Sequence, residues 1–171
     1  ALQLDGVDDQ LKVTSLASFP AKRGTQVIVY VDLNLAADQT LFGTLGSGAA
    51  TIYAWFMSMG ATYYRWHDGT DRIASIPDSG YWNIVTMRRT ADTGLEYWMN
   101  GTLVQTLTIA NNQPSAASTG VGCRVNGANA AAAKIALILD YSRALSDSEL
   151  TTLHTALLSL IHISEPTRRR G

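Results

Sequence analysis

The dipeptide Asn100-Gly101 constrains the fold of this chain more than any other feature of its sequence. It lies between apolar-rich runs at residues 95–100 and 102–109, and it accepts the positive φ angles of a type I′ turn, so it predicts a β-hairpin. Residues 81–89 predict a strand before this hairpin, followed by a turn at residues 90–94. The segment is therefore predicted to form a three-stranded antiparallel meander with an aromatic-rich face.

The clearest single strand pattern lies at residues 25–35. Val27, Val29 and Val31 alternate with period two, and Ile28 and Tyr30 make the opposite face partly apolar as well. Coverage of both faces predicts an inner strand of a sandwich. Further strands are predicted at residues 2–13 (as strand–turn–strand), 40–45, 51–58, 62–67, 72–76, 119–125 and 134–141. We expect the strands at 25–35, 81–89, 95–100, 102–109 and 134–141 to pack as two sheets that bury Trp82, Val29, Val31, Leu137 and Leu139.

One helix is predicted near the carboxyl end. Ser146 followed three residues later by Glu149 is a capping box, in which each residue bonds a free amide of the first turn. Asp147 adds a negative charge at the positive end of the helix dipole. Leu150, followed by leucines at the next helical spacings, supplies an apolar stripe.

Composition excludes several classes of protein. The chain has 171 residues, of which 46% are apolar, which suits one domain with a sizeable core. Its net charge of −1 argues against nucleic acid as the main partner, because such binding needs a basic surface. No apolar run approaches the ~20 residues of a membrane span. Cys123 is the single cysteine, so no internal disulfide can form.

Three blocks of the sequence resemble laminin G-like domains. The first, LQLDGVDDQLKV at residues 2–13, resembles their opening strands, and the last, YSRALSDSEL at residues 141–150, resembles their closing motif. The central block matches at Trp82, Val85, Thr86, Arg88, Leu95, Tyr97, Asn100, Gly101, Leu103 and Val104. This resemblance implies an all-β, two-sheet antiparallel jelly-roll sandwich of the concanavalin A-like class, with a short C-terminal α-helix. It is specific for the fold and weak for the ligand, since this superfold has many functions.

We interpret the last residues of the chain as foreign to the natural domain. The string LSLIHISEPTR at residues 158–168 resembles the translation of a sequencing-library adaptor. We therefore expect residues 1–157 to form the laminin G-like domain and residues 158–171 to be a non-native tail, whose removal leaves fold and binding intact. A natural C-terminal segment is the alternative.

The sequence lacks the pattern of a glycosidase. Hydrolysis by such enzymes needs two carboxylates at a fixed separation. Of the three glutamates, Glu149 belongs to the helix cap, Glu165 lies in the tail, and Glu96 has no acidic neighbour at strand spacing. The cluster Tyr63, Tyr64, Arg65 and His67 invites comparison with polysaccharide lyases, but the lyase motifs are not recognisable around it. We predict a protein that is not an enzyme.

A sugar site is predicted at the turn around Asp68-Gly69. Trp66 or His67 would stack on the apolar face of a sugar ring, and Asp68, Asp71 and Arg72 would bond its hydroxyl groups, because loops on a rigid sandwich commonly carry recognition. The alternative is that the aromatic residues pack in the core.

Calcium is the one cofactor that the resemblance implies. Related domains hold this ion near the sandwich edge with hard oxygen ligands. Asp5, Asp8 and Asp9 cluster in one turn and are our predicted ligands, and Asp68 or Asp71 could instead hold an ion that bridges to the sugar. The alternative is that aspartate is simply a favoured turn residue.

Together these features favour a non-catalytic carbohydrate-binding or adhesion module of a phage tail, a virion or a bacterial surface protein. Its partner would be a glycan or cell-surface polysaccharide, and its location extracellular, on a cell surface or on a virion. The rival interpretation is a structural virion or filament subunit that assembles with its own copies and exposes a large apolar patch. A polysaccharide lyase is the third.

Overall fold

The chain folds as two stacked antiparallel β-sheets with one C-terminal helix. The computed structural model describes residues 1–9, 11–13, 24–32, 39–45, 52–58, 63–67, 71–75, 81–90, 93–108, 119–122 and 130–164. The strands are β1 (Leu2–Asp5), β2 (Leu11–Val13), β3 (Gly24–Asp32), β4 (Gln39–Leu45), β5 (Ile52–Ser58), β6 (Tyr63–His67), β7 (Asp71–Ser75), β8 (Asn83–Arg89), β9 (Gly94–Met99), β10 (Thr102–Thr108), β11 (Thr119–Val121) and β12 (Ala132–Tyr141). The helix α1 spans Asp147–Ser164. This confirms the predicted fold class.

Each sheet has six strands. Sheet A has the order β1-β12-β3-β8-β9-β10, and sheet B has the order β2-β11-β4-β5-β6-β7. The five strands that we expected to be shared between two sheets all lie in sheet A, and other strands build sheet B. The reason is that alternation of apolar residues determines which face of a strand is buried, and says nothing about the sheet to which the strand belongs.

The first two strands belong to different sheets. β1 pairs with β12 in sheet A, whereas β2 pairs with β11 in sheet B, so the predicted strand–turn–strand is a crossing between sheets. Gly6 allows the chain to turn there with φ +83, and a Cβ atom on it would lie 2.9 Å from the Cβ of Ala132. The turn therefore requires glycine for both its conformation and its close approach to β12.

The central meander matches the prediction. β8 pairs with β9, and β9 pairs with β10, both antiparallel. Asn100 has φ +48 and Gly101 has φ +87, the two positive angles of a type I′ turn. Met99 and Thr102 face each other across this two-residue connection.

The central strands β3 and β8 of sheet A are buried on both faces. Ile28, Tyr30 and Val85 face sheet B in the main core, together with Leu41 of β4. On the opposite face Val27, Val29 and Ile84 pack against Leu157 of α1. The double apolar pattern of residues 25–35 thus arises because one face of β3 packs on a sheet and the other packs on a helix.

Burial on the helix side is less complete than expected. Val29 is buried, but Trp82, Val31, Leu137 and Leu139 are only half-buried. A cavity of about 250 Å³ between α1 and sheet A is lined by Trp82 and Leu137, among other apolar residues. The helix covers this face without filling all of its surface, which accounts for the residual exposure of these two side chains.

Helix α1 begins with the predicted capping box. The amide of Glu149 donates to Ser146 Oγ at 3.3 Å, and the amide of Ser146 donates to Glu149 Oε2 at 2.7 Å. Leu150 and Leu157 are buried, as the apolar stripe predicted. The helix continues to Ser164, and Leu158 and Ile161 of the segment 158–171 pack against the cluster on sheet A. Among the described residues, no helix has the length and apolar character needed to cross a membrane.

Candidate functional site

The predicted sugar-binding residues lie on one hairpin of sheet B. β6 and β7 pair antiparallel, with Trp66 opposite Arg72 and His67 opposite Asp71. Residues directly opposite each other in a ladder share a face of the sheet, so the register combines one aromatic and one hydrogen-bonding residue on each face. Asp68 lies outside the described residues. The hairpin itself is confirmed, and the role of these five residues stays a prediction.

This hairpin also occupies an edge of the molecule. β7 is the last strand of sheet B, and it contacts β10, the last strand of sheet A. The β6–β7 pair consequently lies where the two sheets meet along one side of the sandwich. Connections at such an edge combine a rigid support with access to large ligands.

The three predicted calcium ligands come together in the turn between β1 and β2. One carboxylate oxygen from each of Asp5, Asp8 and Asp9 lies within 4.8 Å of the others. Calcium bonds oxygen at about 2.3–2.6 Å, so oxygens on opposite sides of an ion are about 5 Å apart, and the spacing fits the ion. The same carboxylates also stabilise the turn, because Asp5 Oδ1 accepts from the amide of Val7 and Asp9 Oδ2 from the amide of Asp5, both at 2.8 Å. The arrangement agrees with a calcium site and equally with a turn stabilised by aspartate side chains, so calcium binding stays a prediction.

A buried ionic network lies between sheet A and the start of α1. Arg88 of β8 donates through Nε to Glu96 Oε2 at 2.8 Å and through Nη1 to the carbonyl of Leu145 at 2.7 Å. Asp147 approaches the same Nη1 at 2.6 Å. Trp98 completes the network, since its indole donates to Glu96 at 3.0 Å and its ring lies 5.2 Å from the guanidinium. Glu96 therefore serves a buried ion pair, and its carboxylate is not placed as a general acid.

A second buried polar contact involves His154 of α1. The amide of Gly101 donates to its Nδ1 at 2.6 Å, and Nε2 lies 2.7 Å from the hydroxyl of Thr86. The ring is 1% exposed. Burial lowers the pKa of His154 to about 4, because a charged imidazole would lose its hydration. Thr86 is buried too, so this pair is closed to substrates.

Sequence reasoning missed both contacts. Thr86 and Arg88 share with Ile84 the face of β8 that α1 covers, where polar residues alternate with the apolar residues of the other face. In the sequence this pattern indicates a strand with one solvent-exposed face. The apolar residue Ile84 lies on the same face, which indicates in the sequence that this face is covered. It does not identify the covering helix or the residues that bond Thr86 and Arg88. Cys123, the single cysteine, lies outside the described residues.

Comparisons with known proteins identify the architecture. No family model and no curated protein matches the chain. The CBM40 module of a Ruminococcus gnavus sialidase superimposes with a TM-score of 0.64 at 17% identity, covering 90% of this chain and 98% of that one. NanB sialidase of Streptococcus pneumoniae gives 0.67 at 20% identity over 88% of this chain and 27% of that one. The binding domain of botulinum neurotoxin DC, solved with rat synaptotagmin II, gives 0.67 at 10% identity over 86% of this chain and 40% of that one.

These likenesses establish a shared β-sandwich fold. The chain spans about two-fifths of the toxin binding domain and about a quarter of NanB, whereas it spans nearly all of the CBM40 module. The narrower resemblance to laminin G-like domains stays a prediction, because no family model matches.

Proposed function

We propose that this chain is a non-catalytic carbohydrate-binding module. The observation that carries the proposal is the whole-domain likeness to CBM40, in which 90% of this chain matches 98% of an independent sugar-binding module. The same architecture occurs in the binding domain of a botulinum neurotoxin and within NanB sialidase. The engagement of Glu96 with Arg88 and Trp98 also favours binding over glycoside hydrolysis, since it occupies that carboxylate in contacts within the protein.

The sugar site that we propose is the β6–β7 hairpin. Its register brings Trp66 and Arg72 onto one face, and His67 and Asp71 onto the other. An aromatic ring covers the apolar side of a pyranose, while charged groups bond its hydroxyls, so either face holds the minimal pair for recognition. We further propose that the ligand is a cell-surface glycan or polysaccharide, that the natural protein acts outside the cell as an adhesion module on a phage tail, virion or bacterial surface, and that Asp5, Asp8 and Asp9 bind calcium.

The test is a glycan array followed by calorimetric titration of the best ligand. Trp66→Ala and Asp68→Ala are expected to weaken binding at least tenfold without changing the thermal unfolding midpoint. Tyr81→Ala is the matched control, because Tyr81 is an aromatic residue that is 70% exposed and precedes β8 of sheet A rather than belonging to β6 or β7. Equal loss of binding in all three variants would argue against this hairpin, and an array without any binder would argue against the function.

Calcium is tested separately on the same protein. Titration of calcium into chelator-treated chain should show binding that Asp8→Asn abolishes. Unchanged calcium affinity in that variant would leave the cluster as a turn motif only.

Self-assembly is the second candidate, and one observation favours it. Leu2, Val7 and Leu11, all within the β1–β2 region, are 45%, 75% and 54% exposed. Exposed apolar residues gathered on one side can mark an interface between copies. Sedimentation equilibrium on the wild type and on Leu11→Lys distinguishes the two candidates, because a subunit that assembles through this side should become monomeric in the variant.

A further inference from the structure

The imidazole of His154 joins three elements that are distant in sequence. It belongs to α1, bonds Thr86 of β8, and accepts from Gly101 in the turn between β9 and β10. Because an amide can only donate, Nδ1 must carry a lone pair. The proton of the neutral ring then lies on Nε2, which donates to the hydroxyl of Thr86. The geometry thus requires one uncharged tautomer.

The turn that His154 holds has a second attachment. The side chain of Asn100 accepts from the amide of Ile84 at 2.9 Å, and the amide of Asn100 donates to the carbonyl of Ile84 at 2.9 Å. These two bonds tie the turn to β8 and involve no titratable group. Only the bond from Gly101 to the imidazole depends on protonation.

Among the described residues, each acidic group on the elements around His154 is already paired with an arginine. The charged groups on the elements around it are Arg88 and Arg89 on β8, Glu96 on β9, and Asp147 and Glu149 on α1, whereas β10 carries no charged residue. By strand alternation Arg89 lies on the opposite face of β8, with Val85 and Met87. Arg88 already pairs with Glu96 and Asp147, and Glu149 pairs with Arg143 at the helix start. The pKa of His154, lowered by burial to about 4, agrees with this environment, in which the ring binds a proton roughly 300-fold more weakly than an exposed histidine.

We propose that His154 is an acid-sensitive latch, whose protonation releases the Asn100–Gly101 turn from helix α1 while the core between the sheets stays packed. A proton on Nδ1 would point at the amide proton of Gly101 across a 2.6 Å gap, so turn and helix must separate. The separation also lets the charged ring reach water. The core is spared because its residues on the same strands, such as Val85 and Tyr97, lie on the opposite face of sheet A.

The latch is tested by following the ring and the turn together as the pH falls. Nuclear magnetic resonance of the full chain between pH 7.5 and 3.5 should give an imidazole midpoint near pH 4. Hydrogen exchange at Gly101, corrected for its intrinsic pH dependence, should accelerate with the same midpoint, while the amide of Val85 stays protected. A midpoint near 6.5 with unchanged protection at Gly101 would overturn the latch, as would simultaneous loss of protection at both amides.

Two variants distinguish the titration of His154 from the titration of carboxylates, which occurs in a similar pH range. His154→Gln can accept from Gly101 and donate to Thr86 without titrating, so the acid transition at Gly101 should disappear. If that variant does not fold, Thr86→Val keeps the histidine but removes the bond that holds Nε2 in the closed state. Because the charged ring leaves this bond when it is released to water, the midpoint should move upward. An acid transition that persists unchanged in His154→Gln, or an unmoved midpoint in Thr86→Val, would assign the event to other groups.

Discussion

Replacement of Arg88 by methionine tests whether the buried ionic network stabilises the domain. Arg88 is 6% exposed, and its guanidinium contacts Glu96, Asp147 and the carbonyl of Leu145. Methionine retains the apolar stem of the side chain, so it creates little empty volume. The change therefore removes charge and hydrogen bonds, and only a small part of the packing.

The expected loss of stability follows from the groups that lose Arg88 as their partner. The Glu96 side chain is 16% exposed, and without Arg88 its negative charge would retain only the indole N–H of Trp98. The carbonyl of Leu145 would also lose its donor. Removing one partner of a buried ion pair costs about 3–5 kcal/mol, because the other charge stays buried without compensation. We expect the free energy of unfolding of Arg88→Met to fall by that amount.

An exposed ion pair in the same chain provides the matched control. Arg143 bonds Glu149 at 2.6 and 2.8 Å, similar to the distances around Arg88, but its side chain is 58% exposed. Arg143→Met should cost much less than Arg88→Met, since water compensates exposed charges. Urea unfolding followed by far-ultraviolet circular dichroism measures both variants.

Two results decide the interpretation. A loss in Arg88→Met that equals the loss in Arg143→Met would refute the argument from burial. Adding Glu96→Leu to Arg88→Met should recover part of the stability, because it removes the uncompensated charge. A double variant as unstable as the sum of the single changes would show that lost packing is the cause.

Three further predictions concern helix α1. Ser146→Ala should lower the free energy of unfolding by about 1 kcal/mol through loss of the cap, and an unchanged thermal midpoint would contradict it. Removal of residues 158–171 should leave a folded chain that is about 1–3 kcal/mol less stable, because Leu158 and Ile161 are half-buried on sheet A. Insoluble protein after this truncation would contradict a domain boundary after residue 157. Glu149 should titrate with a pKa of about 2, because its hydrogen bonds with Arg143 and Ser146 favour the charged form. Its contribution to stability is complete above the usual carboxyl pKa and is lost as the pH falls towards 2. A midpoint near 4.5, measured by carbon-13 nuclear magnetic resonance, would contradict this.

Features encoded within a few adjacent residues could be predicted from the sequence. Asn100-Gly101 has the two positive φ angles that its composition favours, and the strands beside it form the expected hairpin. Ser146 and Glu149 exchange the predicted bonds across three residues. In each case both partners of the interaction lie in the same short stretch, so no knowledge of the rest of the fold is needed.

Interactions between distant residues could not be predicted in the same way. The bonds from His154 to Gly101 and Thr86 span 53 and 68 residues. Taken alone, a histidine on a helix and a threonine on a strand have many possible environments. Their pairing becomes visible only when α1 is packed on sheet A, which the sequence pattern did not specify. The assignment of β1 and β2 to different sheets could not be predicted for the same reason, because strand pairing over long separations is not a local property.

The packing of α1 also bears on where a ligand can bind. A sandwich has two broad outer faces, and α1 covers that of sheet A through Leu157, Leu158 and Ile161. α1 is the one helix in the described part of the chain, so sheet B has no such cover there. Our proposal accordingly places a polymeric sugar at the edge hairpin β6–β7 of sheet B, away from the face that α1 covers. This is an independent reason to test Trp66 before the aromatic residues of sheet A, since Trp82 packs against the helix-covered cluster and Trp98 is buried beneath the start of α1.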